Sequence, residues 1–439
     1  MSRLHERNNT KIVKIMQFVP FLYFTVLSCY LWYRNKNIDI ATYMSILYTI
    51  TSFCAAIIVT DGHLEGSGIL FDGWEPELNV VPTFLYCGLI TLTILPFTLI
   101  KVDRLTNIID SHPILTRCFV VMIAAEALLN LYIVADSTVS ILSGDLKEVR
   151  DMLYNDEMSP ADIKLEGMPT IFKFFDYTLH VTFLALPLFF YYSCIKKYSL
   201  WFTAPLLLIS VSPIIRALQT ADRTELVNYG IMFGYCLVFC KNIITKKIKW
   251  FISLIGLPIV AIASIYLVAV TAARFDDTDE GSSGSVLQYA GQPYLNFCYF
   301  YENHNESLIY MQREFPILSH VCFKQEYSDV KAERTAKEGF FIGVFATHIG
   351  SWILDVGKMG AILISVGFSI LVTLVIYRYD RTSFDLGDAL FLFVLANIPL
   401  FGIFYYRFHS FTIALQYLFA GLMFLIYKLR FIFSTKNQQ

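Results

Sequence analysis

Long apolar runs separated by short polar links recur from one end of the chain to the other. A run of roughly 20 apolar residues spans the hydrocarbon core of a bilayer. Windows of that kind lie at about 16–33, 40–60, 80–100, 118–135, 174–195, 199–215, 225–240, 250–270, 357–377, 385–405 and 411–428. The pattern predicts an all-α, polytopic integral membrane protein with about 11 transmembrane helices (10–12). Between the eighth and ninth windows the chain makes one long polar excursion, from Thr271 to about Gly357. It divides a single membrane domain into an N-terminal bundle of about eight helices (1–270), a large loop with short or re-entrant helices (271–356), and C-terminal helices with a tail (357–439).

Lys and Arg in short loops set orientation, because cytoplasmic loops carry the excess of positive charge. Lys101, Arg104 and Arg117 mark one inside loop, Lys196 and Lys197 another, and Lys241, Lys246, Lys247 and Lys249 a third. Arg378 and Arg381, then Lys428, Arg430 and Lys436 in the tail, continue the alternation. This places 136–173, 216–224, 271–356 and 405–410 outside and the C-terminus inside. Counting back makes the head external although it holds Arg3, Arg7, Lys11 and Lys14, against the rule. The head and first apolar run have the form of a signal peptide, but the run continues past Cys29 to Tyr33 and reads better as a span.

Composition agrees with the class. Hydrophobic residues make up 56% of the chain and charged residues 16%, against about 25% charged in a soluble domain. The net charge of −2 says nothing about partners, and no basic stripe suggests nucleic acid. Most of the nine cysteines fall in predicted spans, where they pack. Cys298 and Cys322 lie in the large loop, where one disulfide or two free buried thiols are both open. The acidic and small residues at 276–285 predict a mobile linker. The aromatic-rich stretch after it predicts short helices at the membrane interface.

A few ionisable residues stand out. Glu126 and Asn130 are four apart and share a helix face; an intramembrane carboxylate faces the bundle interior, and His180 is a candidate partner. Asp176 and Lys173, at the outer end of the same helix as His180, are expected to be solvated. Arg216, Arg223 and Arg274 crowd the outer boundary beside the large loop. Snorkelling would explain them, but positive charge is normally avoided outside, and a guanidinium fork matches phosphate oxygens. An anionic, lipid-borne substrate is the reading preferred here, with Arg407 and His409 in the last outer loop as further members.

These residues carry a resemblance. ADRTELV at 221–227, ARF at 273–275 followed by VLQYAGQPYLNF at 286–297, and SWILDVGKMGAILIS at 351–365 resemble segments of the Wzy-type polymerases of O-antigen and capsule repeat units. Arg223 and Gly234 also fit an Arg-x10-Gly spacing of that family. The likeness covers about 140 residues of the second half, the first half matching only in its texture of spans, and the large loop lacks a second copy of the spacing, since Ser285 stands eleven residues after Arg274. It implies a GT-C-like glycosyltransferase in the bacterial inner membrane, its active site facing the periplasm, that joins repeat units carried on undecaprenyl diphosphate. Arg223, Arg274, Asp222, His348 and Asp355 would be catalytic, with Glu225 another candidate base. Arg216, Arg223, Arg274, Tyr289, Gln292, Arg407 and His409 would bind substrate. No metal or cofactor is implied; the partners would be the lipid-linked oligosaccharide, membrane lipid and a chain-length regulator. An O-antigen ligase shares this plan. A polyprenyl-phosphate-sugar transferase would keep a compact acidic motif in its first outer loop, where Asp61, Glu65, Asp72, Glu75 and Glu77 are spread out instead. A flippase or transporter would show broken helices in matching positions, and no paired breaks are legible.

Overall fold

The computed structural model describes residues 15–61, 78–143, 160–179, 181–218, 224–254, 281–304, 311–324, 335–340, 342–377 and 383–436. They are mostly helical. In chain order the main elements are α1 (Val19–Asn35), α2 (Ile40–Asp61), α3 (Val80–Ile94), β1 (Asn107–Ile109), α4 (Pro113–Ser143), α5 (Pro160–Glu166) and α6 (Thr170–Leu179). Then come α7 (Ala185–Phe190), α8 (Leu200–Ser210), α9 (Ser212–Leu218), α10 (Thr224–Phe239), α11 (Gly281–Asn303) and α12 (Pro316–Phe323). α13 (Thr347–Tyr377), β2 (Ser383–Asp385), α14 (Leu386–Phe401) and α15 (Phe411–Lys436) complete the chain.

Among the described residues, Ile40–Thr60, Val80–Arg104, Pro113–Ala135 and Thr347–Tyr377 are long and apolar enough to cross a membrane. Shorter apolar helices occupy Thr182–Ile195, Leu200–Arg216, Thr224–Phe239, Leu386–Phe401 and Ile413–Lys428. Each falls on an apolar window of the sequence, whereas most of the window at 250–270 lies outside the described residues. The long helices leave large apolar side chains uncovered, among them Ile50, Phe84, Val121, Leu128, Leu363 and Leu374. Water would penalise such faces, and a bilayer would not.

The chain folds into two compact units, each gathered from separate stretches. The first comprises Met1–Ile100, Ser283–Arg378 and Leu395–Ala414. Here α1 pairs with α2, and α3 packs on α13. The aromatic-rich stretch forms the single 23-residue helix α11 rather than several short ones, and it begins at Gly281, inside the segment expected to be a linker. Gly291 lets α11 press against α2: a Cβ there would stand 2.6 Å from the backbone nitrogen of Ala55. Tyr294 closes the contact with α3, its hydroxyl 2.8 Å from Thr83 Oγ1 and its ring 4.9 Å from that of Tyr86. Cys298 is a buried free thiol and Cys322 an exposed one.

The second unit comprises Lys101–Ser282, Tyr379–Val394 and Leu415–Gln439. β1 and β2 form a short parallel pair with Asn107 opposite Ser383 and Ile109 opposite Asp385. Asp385 accepts from Ser111, and Thr116 meets the hydroxyl of Tyr427, which ties α4 to α15. The apolar window at 174–195 is not one helix. α6 ends at Leu179, a 3-10 turn at Thr182–Leu184 follows, and α7 runs into a π-type turn at Tyr191–Ile195.

Candidate functional site

In the first unit the site is built around an interruption. α13 is broken at Gly357, whose φ of 73° and ψ of 175° cannot continue a helix. A short segment, 347–356, therefore precedes the long apolar stretch. It opens at Thr347 with φ 63°, a left-handed conformation rare for a β-branched residue. Local bonds hold it there: Thr347 N–H donates to the Phe404 carbonyl at 2.8 Å, and Thr347 Oγ1 accepts from Gly350 N–H at 3.3 Å as a helix cap. Residues Thr347 to Asp355 are all buried, so the segment is enclosed on every side, unlike an amphipathic surface helix.

His348 is held on both edges of its ring. Nδ1 lies 3.3 Å from the Gly402 carbonyl and 3.5 Å from Tyr48 Oη, and Nε2 lies 3.4 Å from Thr93 Oγ1. Tyr48 in turn donates to the Pro399 carbonyl at 2.7 Å. Only glycine fits opposite the imidazole, since a Cβ on Gly402 would stand 2.2 Å from Nδ1. This histidine is sequestered in protein.

Asp355, two turns further along the same stripe, has a different environment. Its Oδ1 accepts the backbone N–H of Arg313 at 3.2 Å and its Oδ2 that of Glu314 at 3.0 Å. The Arg313 guanidinium donates through Nη2 to the Ile342 carbonyl at 3.0 Å, while Nε lies 3.3 Å from Glu314 Oε1. Glu314 is 1% exposed, and burial pushes its carboxyl up to about 7 although Arg313 pulls the other way. Among the described residues, Glu314 Oε2 and Trp352 Nε1 have no hydrogen-bond partner. Tyr406 packs on Phe315 and Trp352, with ring centroids 5.2 and 5.7 Å away. Burial and the charges of Glu314 and Asp355 hold its phenol well above the ordinary range. Two enclosed carboxyls, a guanidinium and aromatic faces thus share one locality, which can take up or release a proton near neutrality.

The other expected members of this unit have contacts of their own. Phe345 stacks on Tyr405 at 5.5 Å and meets Tyr289 at 5.8 Å. Asn296 donates to the Phe345 carbonyl at 2.8 Å and approaches buried Gln292 at 3.5 Å. Arg407 lies over the Phe401 ring at 5.0 Å, in a 3-10 turn that ends at His409.

Arg216 belongs to the second unit, at the end of α9. Its Nη1 lies 2.5 Å from Asp176 Oδ1 and 3.4 Å from Asn130 Oδ1. Asn130 in turn donates to Glu126 Oε1 at 2.7 Å. Glu126 and Asn130 do share a face, and that face is in the interior. Asp176 is 3% exposed, not solvated: the arginine compensates it, and the apolar side chains of α6 turn outwards, with Ile171, Phe172 and Phe174 exposed.

Asp222, Arg223, Arg274 and His180 lie outside the described residues. Sequence reasoning missed Arg313, Glu314 and Tyr406 and misjudged Asp176. The adjacent Arg–Glu–Phe–Pro at 313–316 is an ordinary loop pattern, and nothing local marks it as buried. Among the described residues no group of three His, Cys, Asp or Glu side chains is placed to hold a metal ion. Comparison with protein-family models, with curated proteins and with solved structures finds no match, so the functional reading rests on this geometry and on the sequence.

Proposed function

We propose that the protein is a polytopic, GT-C-like glycosyltransferase with about 11 spans that polymerises lipid-linked oligosaccharide repeat units at the periplasmic face of a bacterial inner membrane. The observation that carries this reading is the buried Asp355, held by the amides of Arg313 and Glu314, with the buried Glu314 carboxyl in the same locality. A hydroxyl of the acceptor unit attacks the anomeric carbon of the donor glycan. The bond from that carbon to the lipid diphosphate breaks, the hydroxyl proton passes to a carboxylate, and the diphosphate leaves as an anion. A carboxyl poised near 7 suits the general-base role. Arg216, Arg223 and Arg274 are assigned, on the sequence alone, to the phosphate of an anionic lipid, which guanidinium donors bind.

The test is surface polysaccharide length in cells carrying Glu314→Gln or Asp355→Asn, with inserted protein measured alongside. Loss of polymer with one repeat unit still attached to the lipid core supports a polymerase. Loss of all attached glycan would instead indicate a ligase.

A second reading has its own observation. α13 is broken at Gly357, the 174–195 window is broken at Val181, and burial pushes the Glu314 carboxyl up to about 7. Discontinuous helices and enclosed carboxyls are what proton-coupled carriers use. Accumulation of lipid-linked repeat units on the cytoplasmic side in the same variants would favour transport over polymerisation.

A further inference from the structure

The Arg216 guanidinium belongs to a chain of polar contacts and is not one half of an isolated pair. Glu126 accepts from the Asn130 amide at 2.7 Å, which turns the amide oxygen of Asn130 towards Arg216 Nη1. Asp176 reaches the same nitrogen from a different helix at 2.5 Å. Two acceptors, one from α4 and one from α6, therefore converge on one corner of the fork that α9 supplies. Beside them lies an apolar cluster of Ile133, Val134, Leu165 and Ile215. Exposure is unequal across the pair: the Asp176 side chain is 3% exposed, the Arg216 side chain 25%. The carboxylate is the buried, fixed end, and the cation is the end that meets the surroundings.

We propose that Asp176, with Asn130 beside it, is a positioning residue for Arg216, holding the plane of the guanidinium for a phosphate-bearing lipid. This inference rests on the assignment of Arg216 to the lipid phosphate. A planar fork recognises phosphate only when its orientation is set, and a displacement of about 1 Å in such a group costs on the order of 10²-fold in rate.

The experiment compares polymer made per inserted molecule in Asp176→Asn, in Arg216→Lys, and in the exchange Asp176→Arg with Arg216→Asp. The exchange rebuilds the ion pair with reversed polarity, so a purely structural bridge is satisfied by it, whereas a positioned cation is not. The expected result is normal insertion of the exchange variant with polymer per molecule lower by on the order of 10²-fold. Arg216→Lys should show a similar loss, because it keeps the charge and not the fork. Normal polymer from the exchange, from Arg216→Lys, or per inserted molecule from Asp176→Asn would each overturn the proposal. A strain lacking the whole chain separates the two levels. If its glycan is unaltered, the polymerase reading falls and this inference with it. If deletion abolishes polymer while the Asp176 variants make it normally, only the inference falls.

Discussion

The two units solve the same problem, an enclosed carboxylate, in opposite ways. In the second unit Asp176 is answered by a full opposite charge 2.5 Å away. In the first, Asp355 is answered by the backbone N–H groups of Arg313 and Glu314, and the neighbouring Glu314 is pushed up to about 7 by burial. A guanidinium at 2.5 Å fixes the position of Asp176, whereas burial raises the Glu314 carboxyl in spite of Arg313. Close pairing suits holding a group still, and a raised carboxyl suits moving a proton.

The sharpest way to break the comparison is to delete the carboxylate in the second unit. Asp176→Ala removes the buried carboxylate that faces Arg216; losing one partner of a buried pair costs about 3–5 kcal/mol, and with the arginine 25% exposed that range is the upper bound here. The thermal midpoint of the detergent-solubilised protein should fall accordingly, and an unchanged midpoint would mean the pair is not a fixed element. Asp355→Asn should cost less, roughly 1–3 kcal/mol, since one of two backbone donors loses a good acceptor while the shape is kept. A loss as large as that from Asp176→Ala would show that Asp355 is held as rigidly as Asp176.

Glu314→Gln tests movability directly. Because the folded carboxyl is raised to about 7 from about 4.5, the native state binds more protons than the unfolded state between those values. Stability from this group is therefore highest at low pH and declines as pH rises through that window. The Gln variant, which cannot ionise, should match the wild type near pH 5 and be the more stable of the two near pH 8, as judged by thermal midpoints. Polymer synthesis by wild-type membranes should rise through the same interval, since the base acts deprotonated. A pH-independent difference between the proteins would mean that Glu314 does not titrate there. The smallest effect belongs to an exposed pair of the second unit, Lys241 with Asp103 at 3.1 Å. Lys241→Ala should change stability by at most about 1 kcal/mol, marking the level at which charge pairing ceases to matter.

How much of this was legible in the sequence depended on whether the signal was periodic or tertiary. The apolar windows located the hydrophobic helices because each such helix carries its own record of burial in lipid. The spacing of Glu126 and Asn130 correctly gave a shared interior face. The burial of Asp176 was not legible, since its partner lies 40 residues away in the chain. α11 was read as short interfacial helices because its stretch is rich in aromatic residues. It is buried because its polar groups find specific partners, such as the Phe345 carbonyl for Asn296 and Thr83 for Tyr294. Glu314 was missed for the same reason: it is buried by packing that only the fold assembles.

The break at Gly357 also separates two stages of biogenesis. A translocating machinery recognises the long apolar stretch after the glycine as a unit that can partition into lipid by itself. The segment before it, with His348 and Asp355, has no such independent reason to adopt its final place. Its Thr347 and His348 amides bond to Phe404 and Gly402, residues synthesised only after the next apolar helix has emerged. The backbone bonds that seat Thr347 and His348 therefore form late, once α14 is in place. A chain halted before Gly402 would be expected to insert α13 and still lack a finished site.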